Sequence, residues 1–175
     1  MQRPTSVTVF GILNIVFAVF GILGLIGTIV MFKTMDASRN PVVKIMQDSP
    51  AYAAWMKVTL PLGLAATAAL ITAGVGLLMM KPWARKLSIG YAIYTMLFSA
   101  LGMVMNFFFL MRPMLEEASR KQGPEAAAAM GGAIGGTIGG CFGMIYPILL
   151  FIFMTRPKVV AAFNPPSAPP VMPGA

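Results

Sequence analysis

The run VTVFGILNIVFAVFGILGLIGTIVMF, residues 7–32, decides the fold, because it holds no charged side chain over 26 residues. Its residues do not alternate polar with apolar, as the strands of a membrane barrel do over about ten residues. An α-helix rises ~1.5 Å per residue, so about 20 residues cross a ~30 Å hydrocarbon core. This run is long enough to cross once with some tilt. Three further charge-free windows lie at 58–80, 87–111 and 131–154, with 23, 25 and 24 residues. All of the 13 Lys+Arg and 5 Asp+Glu fall outside the four windows. The expected fold is therefore all-α: a four-helix transmembrane bundle over residues 1–163, followed by a Pro-rich flexible tail over 164–175.

Composition agrees with a lipid solvent. The 175 residues are 58% hydrophobic and 10% charged, with a mean hydropathy of +0.80. A soluble domain carries roughly 25% charged residues, so this chain lacks the polar side chains to cover itself in water. A disordered chain would need low hydrophobicity. There is no histidine and a single cysteine, Cys141. An intramolecular disulfide, a thiolate–imidazole pair and the commonest general base are thus all excluded. The net charge of +8 is scattered over short connections, unlike the continuous soluble face that binds nucleic acid. Membrane lipids are the expected partners, nucleic acid is not, and no cofactor or metal is expected. Residues 7–32 are also longer than a signal-peptide core of ~7–15 residues, and no A-x-A cleavage site follows, so this reads as an uncleaved first span.

Four spans put both termini on one side. The basic residues near that side are Arg3, Lys81, Arg85, Lys86, Arg156 and Lys158; the other side has seven, so the raw count does not orient the chain. Density does: residues 81–86 hold three cations, and all five acids (Asp36, Asp48, Glu116, Glu117, Glu125) lie in the two longer loops opposite. Basic density marks the cytoplasmic side of an inner (cell) membrane. Asn40-Pro41 and Ser49-Pro50 pair an N-cap residue with proline at the first helical position. They predict a short interfacial helix over 41–47 and a second helix start at residue 50. Tyr52 and Trp55 are expected at the outer headgroup level and Trp83 at the inner one. Glu116/Arg120 and Glu117/Lys121 have i,i+4 spacing on a short exposed helix, which Gly123-Pro124 ends. The tail has five prolines (165, 166, 169, 170 and 173) and no charge, which predicts an extended segment.

The candidate sites are packing sites. Glycine recurs at Gly131, Gly135, Gly139 and Gly143, a four-residue repeat that lets another helix backbone approach closely. Packing within the bundle, self-association and a pore-lining zipper are the readings of this glycine zipper, in that order. Ala65, Ala69 and Ala73 make a small-residue stripe on the second span, expected to meet the glycine face of the fourth. Pro61 lies near the start of its window and is expected to be harmless, whereas Pro147 is expected to kink the fourth span. Asn14, Thr72, Thr95 and Tyr146 sit 7 or 8 residues from the inner edge of their windows, about 11–12 Å deep. They are expected to turn inward as a shared polar layer with Asn14 as its hub. Lys81, Trp83, Arg85 and Lys86 are expected to contact anionic lipid headgroups. The 16 methionines read as adaptable packing residues rather than copper(I) ligands, since no cysteine or histidine cluster accompanies them.

Three stretches carry a resemblance: RPTSVTV at 3–9, KPWARKLSIGY at 81–91 and TRPKVVAAF at 155–163. They resemble small uncharacterised bacterial four-span integral membrane proteins, a likeness that implies the architecture and no activity. The first span lacks the glutamate on which small multidrug transporters rely, and the chain lacks the extracellular cysteines of tetraspanin-like and claudin-like proteins. A multi-pass membrane protein of accessory or scaffold type is the leading expectation. It would pair with a second copy or another membrane protein. A channel or small transporter formed by an oligomer is the alternative, weakened because no window holds an ionisable acid or base to mark an ion path. A membrane enzyme is disfavoured, as its acid or base would have to come from loop carboxylates without histidine.

Overall fold

The computed structural model describes residues 4–34, 43–44, 48–120, 131, 140 and 143–163, without the side chains of 117, 118 and 120. The described residues are helical apart from short connections. Helix α1 spans Thr5–Thr34, α2 spans Pro50–Leu78 and α3 spans Pro82–Asn106. A π-helical stretch, Phe107–Met111, then leads into α4, Arg112–Arg120. Helix α5, Gly143–Thr155, and α6, Pro157–Phe163, meet at a 66° bend. Among the described residues three helices are long and apolar enough to cross a membrane, and the bent α5–α6 pair makes a fourth where it counts as one span. Of the helix expected over 41–47, only residues 43 and 44 are described; the tail from residue 164 lies outside the described residues.

Local chemistry sets the helix ends. The Ser49 side chain accepts a hydrogen bond from the Tyr52 backbone N–H at 3.4 Å, and Pro50 follows it at the first helical position. Because α2 starts there, Pro61 lies well inside the helix rather than near its start. The helix runs through it, with Pro61 on the exposed side. At the other end, Lys81 N–H donates to the Gly76 carbonyl (2.9 Å) and Met80 N–H to that of Leu77 (3.0 Å). Those two bonds make the Schellman closure, which places Met80 at φ 56°. Glycine usually occupies that left-handed position, and a side chain there is strained. The resulting turn is only three residues long and folds α3 back along α2.

The bend in the last helix also falls elsewhere than expected. Pro147 is buried inside the continuous α5, and the break comes at Arg156. The reason lies in the next residue: Pro157 disfavours the α conformation for the residue before it. Beyond the break, α6 buries Val159 and Phe163.

Packing concentrates at one end. Val7 and Phe10 of α1, Leu77 of α2, Ala84 and Ala92 of α3, Leu150 and Met154 of α5, and Val159 and Phe163 of α6 form a single buried cluster. The N-terminus of α1, the α2–α3 turn and the α5–α6 bend therefore share one end of the molecule. The outer faces stay apolar, with Phe20 64%, Leu64 62% and Leu97 70% exposed. Such broad apolar faces suit a lipid surround.

Candidate functional site

The helix seam that organises the packed end lies between α1 and α2. A Cβ on Gly74 would lie 2.9 Å from the Gly11 carbonyl oxygen, 2.9 Å from Ile15 Cγ1 and 3.0 Å from Asn14 Cβ. A Cβ on Gly11 would reach within 2.8 Å of Leu78 and 3.3 Å of the Gly74 carbonyl. The backbones approach because both positions lack a side chain, the device by which membrane helices gain van der Waals contact. Farther along the seam, Gly21 faces Thr67 and Gly63 faces Leu25. This row of Gly63, Thr67 and Gly74 is the face of α2 that meets α1. The expected partnership between the alanine stripe and the glycine face of the fourth span falls mostly outside the described residues. Along that stripe, Ala65 is exposed, Ala69 half-buried and Ala73 buried. Of the glycine repeat, Gly135 and Gly139 lie outside the described residues. Gly131 and Gly143 are exposed, and a Cβ on either would meet nothing within 4 Å.

Asn14 sits on this seam, fully buried. Its Oδ1 accepts a hydrogen bond from the Tyr146 hydroxyl of α5, so the two polar residues tie α1 to α5. Rings complete the joint: Tyr146 lies 4.1 Å from Phe17 and 6.5 Å from Phe10, and Phe153 lies 5.0 Å from Phe10, centroid to centroid. The Asn14 Nδ2 has no partner among the described residues. The expected four-residue layer reduces to this pair. Thr72 is exposed and donates to the Ala68 carbonyl one turn back (2.8 Å), and Thr95 donates to those of Tyr91 (2.8 Å) and Ala92 (3.1 Å). A threonine hydroxyl reaches its own preceding turn, so equal depth does not oblige it to bridge helices.

The basic turn is built differently from a set of free surface charges. Lys81, Trp83 and Lys86 are exposed, but Arg85 is half-buried and its Nε donates to the Met154 carbonyl at 2.9 Å. That carbonyl belongs to the last turn of α5, where orphan acceptors and the negative dipole end favour a cation. Arg85 therefore holds α3 to α5 as well as carrying charge. The Trp83 ring lies over Gly76, where a Cβ would come within 2.7 Å of it. Across the bend, the Arg156 guanidinium stacks 4.2 Å above the Phe153 ring.

The opposite half contains a cavity. A cavity of about 600 Å³ lies between α2, α3 and α5, with Trp55, Thr59, Phe98, Asn106, Phe107 and Gly143 among its walls. The Tyr52 hydroxyl donates to Asn106 Oδ1 at 3.4 Å across its outer rim, a pairing that depth counting did not suggest. Trp55 and Tyr94 both stack on Phe98, at 5.2 and 5.5 Å. The ion pair here also differs from the expected ones. Arg112 Nε lies 3.8 Å from Glu116 Oε1, on an exposed i,i+4 spacing, whereas the Arg120 and Glu117 side chains and Lys121 lie outside the described residues. Among the described residues no cluster of His, Cys, Asp or Glu could hold a metal ion. No protein-family model matches the chain, and no curated protein or solved structure is similar to it.

Proposed function

We propose that the chain is a multi-pass integral membrane protein of accessory or scaffold type, with four spans and both termini in the cytoplasm. The observation that carries this reading is the nature of the buried joint. Helices α1, α2 and α5 meet through glycine, aromatic rings and one uncharged hydrogen bond, Asn14 with Tyr146. Such a joint serves helix registration; it offers no carboxylate, amine or guanidinium for coupled transport. The fourth span, on this reading, is the charge-free window 131–154. Its glycine zipper pairs with a second copy or another membrane protein. The open space around Gly131 and Gly143 supports that use.

Reconstitution into sealed vesicles tests the function. A scaffold leaves ion and proton flux at the level of empty vesicles, and flux above that level would overturn the reading in favour of a channel. Leucine at Gly135 and Gly139 should change the oligomeric state in detergent; an unchanged state would remove the zipper from the proposal. Cysteines at Ser38 and Ser167, in a Cys141→Ala background, report the topology: an impermeant reagent on intact cells should label the first and spare the second.

A further inference from the structure

The packed end of the molecule gathers five cations from two segments far apart in sequence. Lys81, Arg85 and Lys86 come from the α2–α3 turn and the start of α3, and Arg156 and Lys158 from the α5–α6 bend. The hydrogen bond from Arg85 Nε to Met154 O, two residues before Arg156, joins the segments into one surface. Lys81, Lys86, Arg156 and Lys158 are exposed, and the carboxylates whose side chains are described, Asp48 and Glu116, lie at the opposite end. Among the described residues no acid neutralises the cluster.

Two features distinguish this surface from scattered helix-end charges. First, the guanidinium of Arg85 is half-buried and oriented. Its Nε is committed to Met154 O, which fixes the plane of the guanidinium. A planar fork held by one nitrogen presents the rest of its donors in fixed geometry, which matches a phosphate oxygen pair better than a mobile lysine does. Second, Trp83 lies beside the cations, 47% exposed and seated against Gly76. A half-exposed indole belongs at the level of the lipid headgroups. The short turn that carries Lys81 is closed by the strained Met80, so the cations do not sit on a loose loop.

We propose that this end is a binding site for an anionic phospholipid headgroup, gripped by Arg85 and flanked by Lys81, Lys86, Arg156 and Lys158. The inference rests on the membrane reading above and deepens the lipid contact expected of residues 81–86, because the site requires the α5–α6 bend as its second wall. Clusters of 4–8 basic residues at the membrane surface, and basic pockets between helices, are the pattern that recognises multiply charged headgroups. A headgroup with two phosphates spans both segments and should be preferred over one with a single phosphate.

The experiment uses the full chain in bilayers of phosphatidylcholine, with Trp55→Phe leaving Trp83 as the single tryptophan. Quenching of Trp83 by lipids with brominated chains measures which lipid sits beside it. Diphosphatidylglycerol should quench more strongly than phosphatidylglycerol, and both more strongly than phosphatidylcholine. Lys81→Gln, Lys86→Gln and Lys158→Gln should each reduce the anionic preference by about fivefold, and high salt should reduce it further. Arg85→Lys keeps the charge but loses the fork, so it should lower the preference for the two-phosphate lipid beyond any single lysine change. Equal quenching by phosphatidylcholine and the anionic lipids would overturn the site, as would a preference that survives the triple lysine variant. Displacement of the lipid by inorganic phosphate alone would also overturn it, by reassigning the surface to a soluble anion. A chain that fails to enter bilayers at all would overturn the membrane reading and this site with it.

Discussion

The two ends of the molecule are made from similar residues and packed in opposite ways. At the end with the α2–α3 turn, Gly11, Gly74, Gly76, Ala84 and Ala92 allow close approach, and large side chains such as Leu77, Leu150 and Met154 are fully buried. At the other end Trp55, Phe98 and Phe107 line a cavity of about 600 Å³. The π-helical stretch Phe107–Met111 shifts the register of α3 beside it. In a bilayer the apolar surround is as good a solvent for leucine as a core, so burial alone does not hold helices together. Contact distance does. Small residues at the seam therefore govern this fold more than hydrophobicity does.

Breaking the tight end should have the largest effect. Gly74→Leu forces a side chain against the Gly11 carbonyl, which cannot rotate away. Overpacking costs about 1–3 kcal/mol or more, so the thermal midpoint in detergent should fall sharply or the variant should not fold. The same change at Gly24 or Gly27, where a Cβ meets nothing within 4 Å, should leave the midpoint nearly unchanged. A similar drop at both kinds of position would remove the seam from the argument. Next in size, Leu150→Ala should cost about 2 kcal/mol, the low end of the core range, because loss of dispersion contact is felt in lipid while the water-transfer part is not.

A glycine of the cavity wall should respond with the opposite sign. A Cβ on Gly102 would lie 3.8 Å from Trp55 Cζ2, an ordinary contact. Gly102→Ala should therefore stabilise by roughly 0.5–1 kcal/mol through helix propensity and added contact, where Gly74→Ala destabilises. Paired unfolding curves of the two variants measure the comparison directly. The smallest effect belongs to the buried hydrogen bond. Tyr146→Phe should cost only about 0.6 kcal/mol, the average for such bonds between membrane helices, and Thr72→Val close to nothing. A double-mutant cycle with Asn14→Ala should locate that energy between Asn14 and Tyr146.

The sequence by itself determined that the chain is helical and apolar, where its first three long helices run and where charge is excluded, because those properties follow from residue-by-residue transfer between water and lipid. It also determined the start of α2, through Ser49-Pro50, and that Asn14 and Tyr146 sit at matching depths. The tertiary structure decided which face of each helix meets which neighbour. Glycine and alanine are numerous on several faces, so spacing nominated Ala65, Ala69 and Ala73 as readily as Gly63, Thr67 and Gly74. Only the relative rotation of α1 and α2 selects the second row. Depth likewise placed Thr72 and Thr95 level with Asn14, but a hydroxyl that satisfies itself on its own helix carries no obligation to a partner, and a carboxamide does. The charge at Arg85 was readable in one dimension; its bond to Met154, 69 residues away, was not. Contacts between distant segments depend on rotation and approach, and those are properties of the packed bundle rather than of any one stretch of sequence.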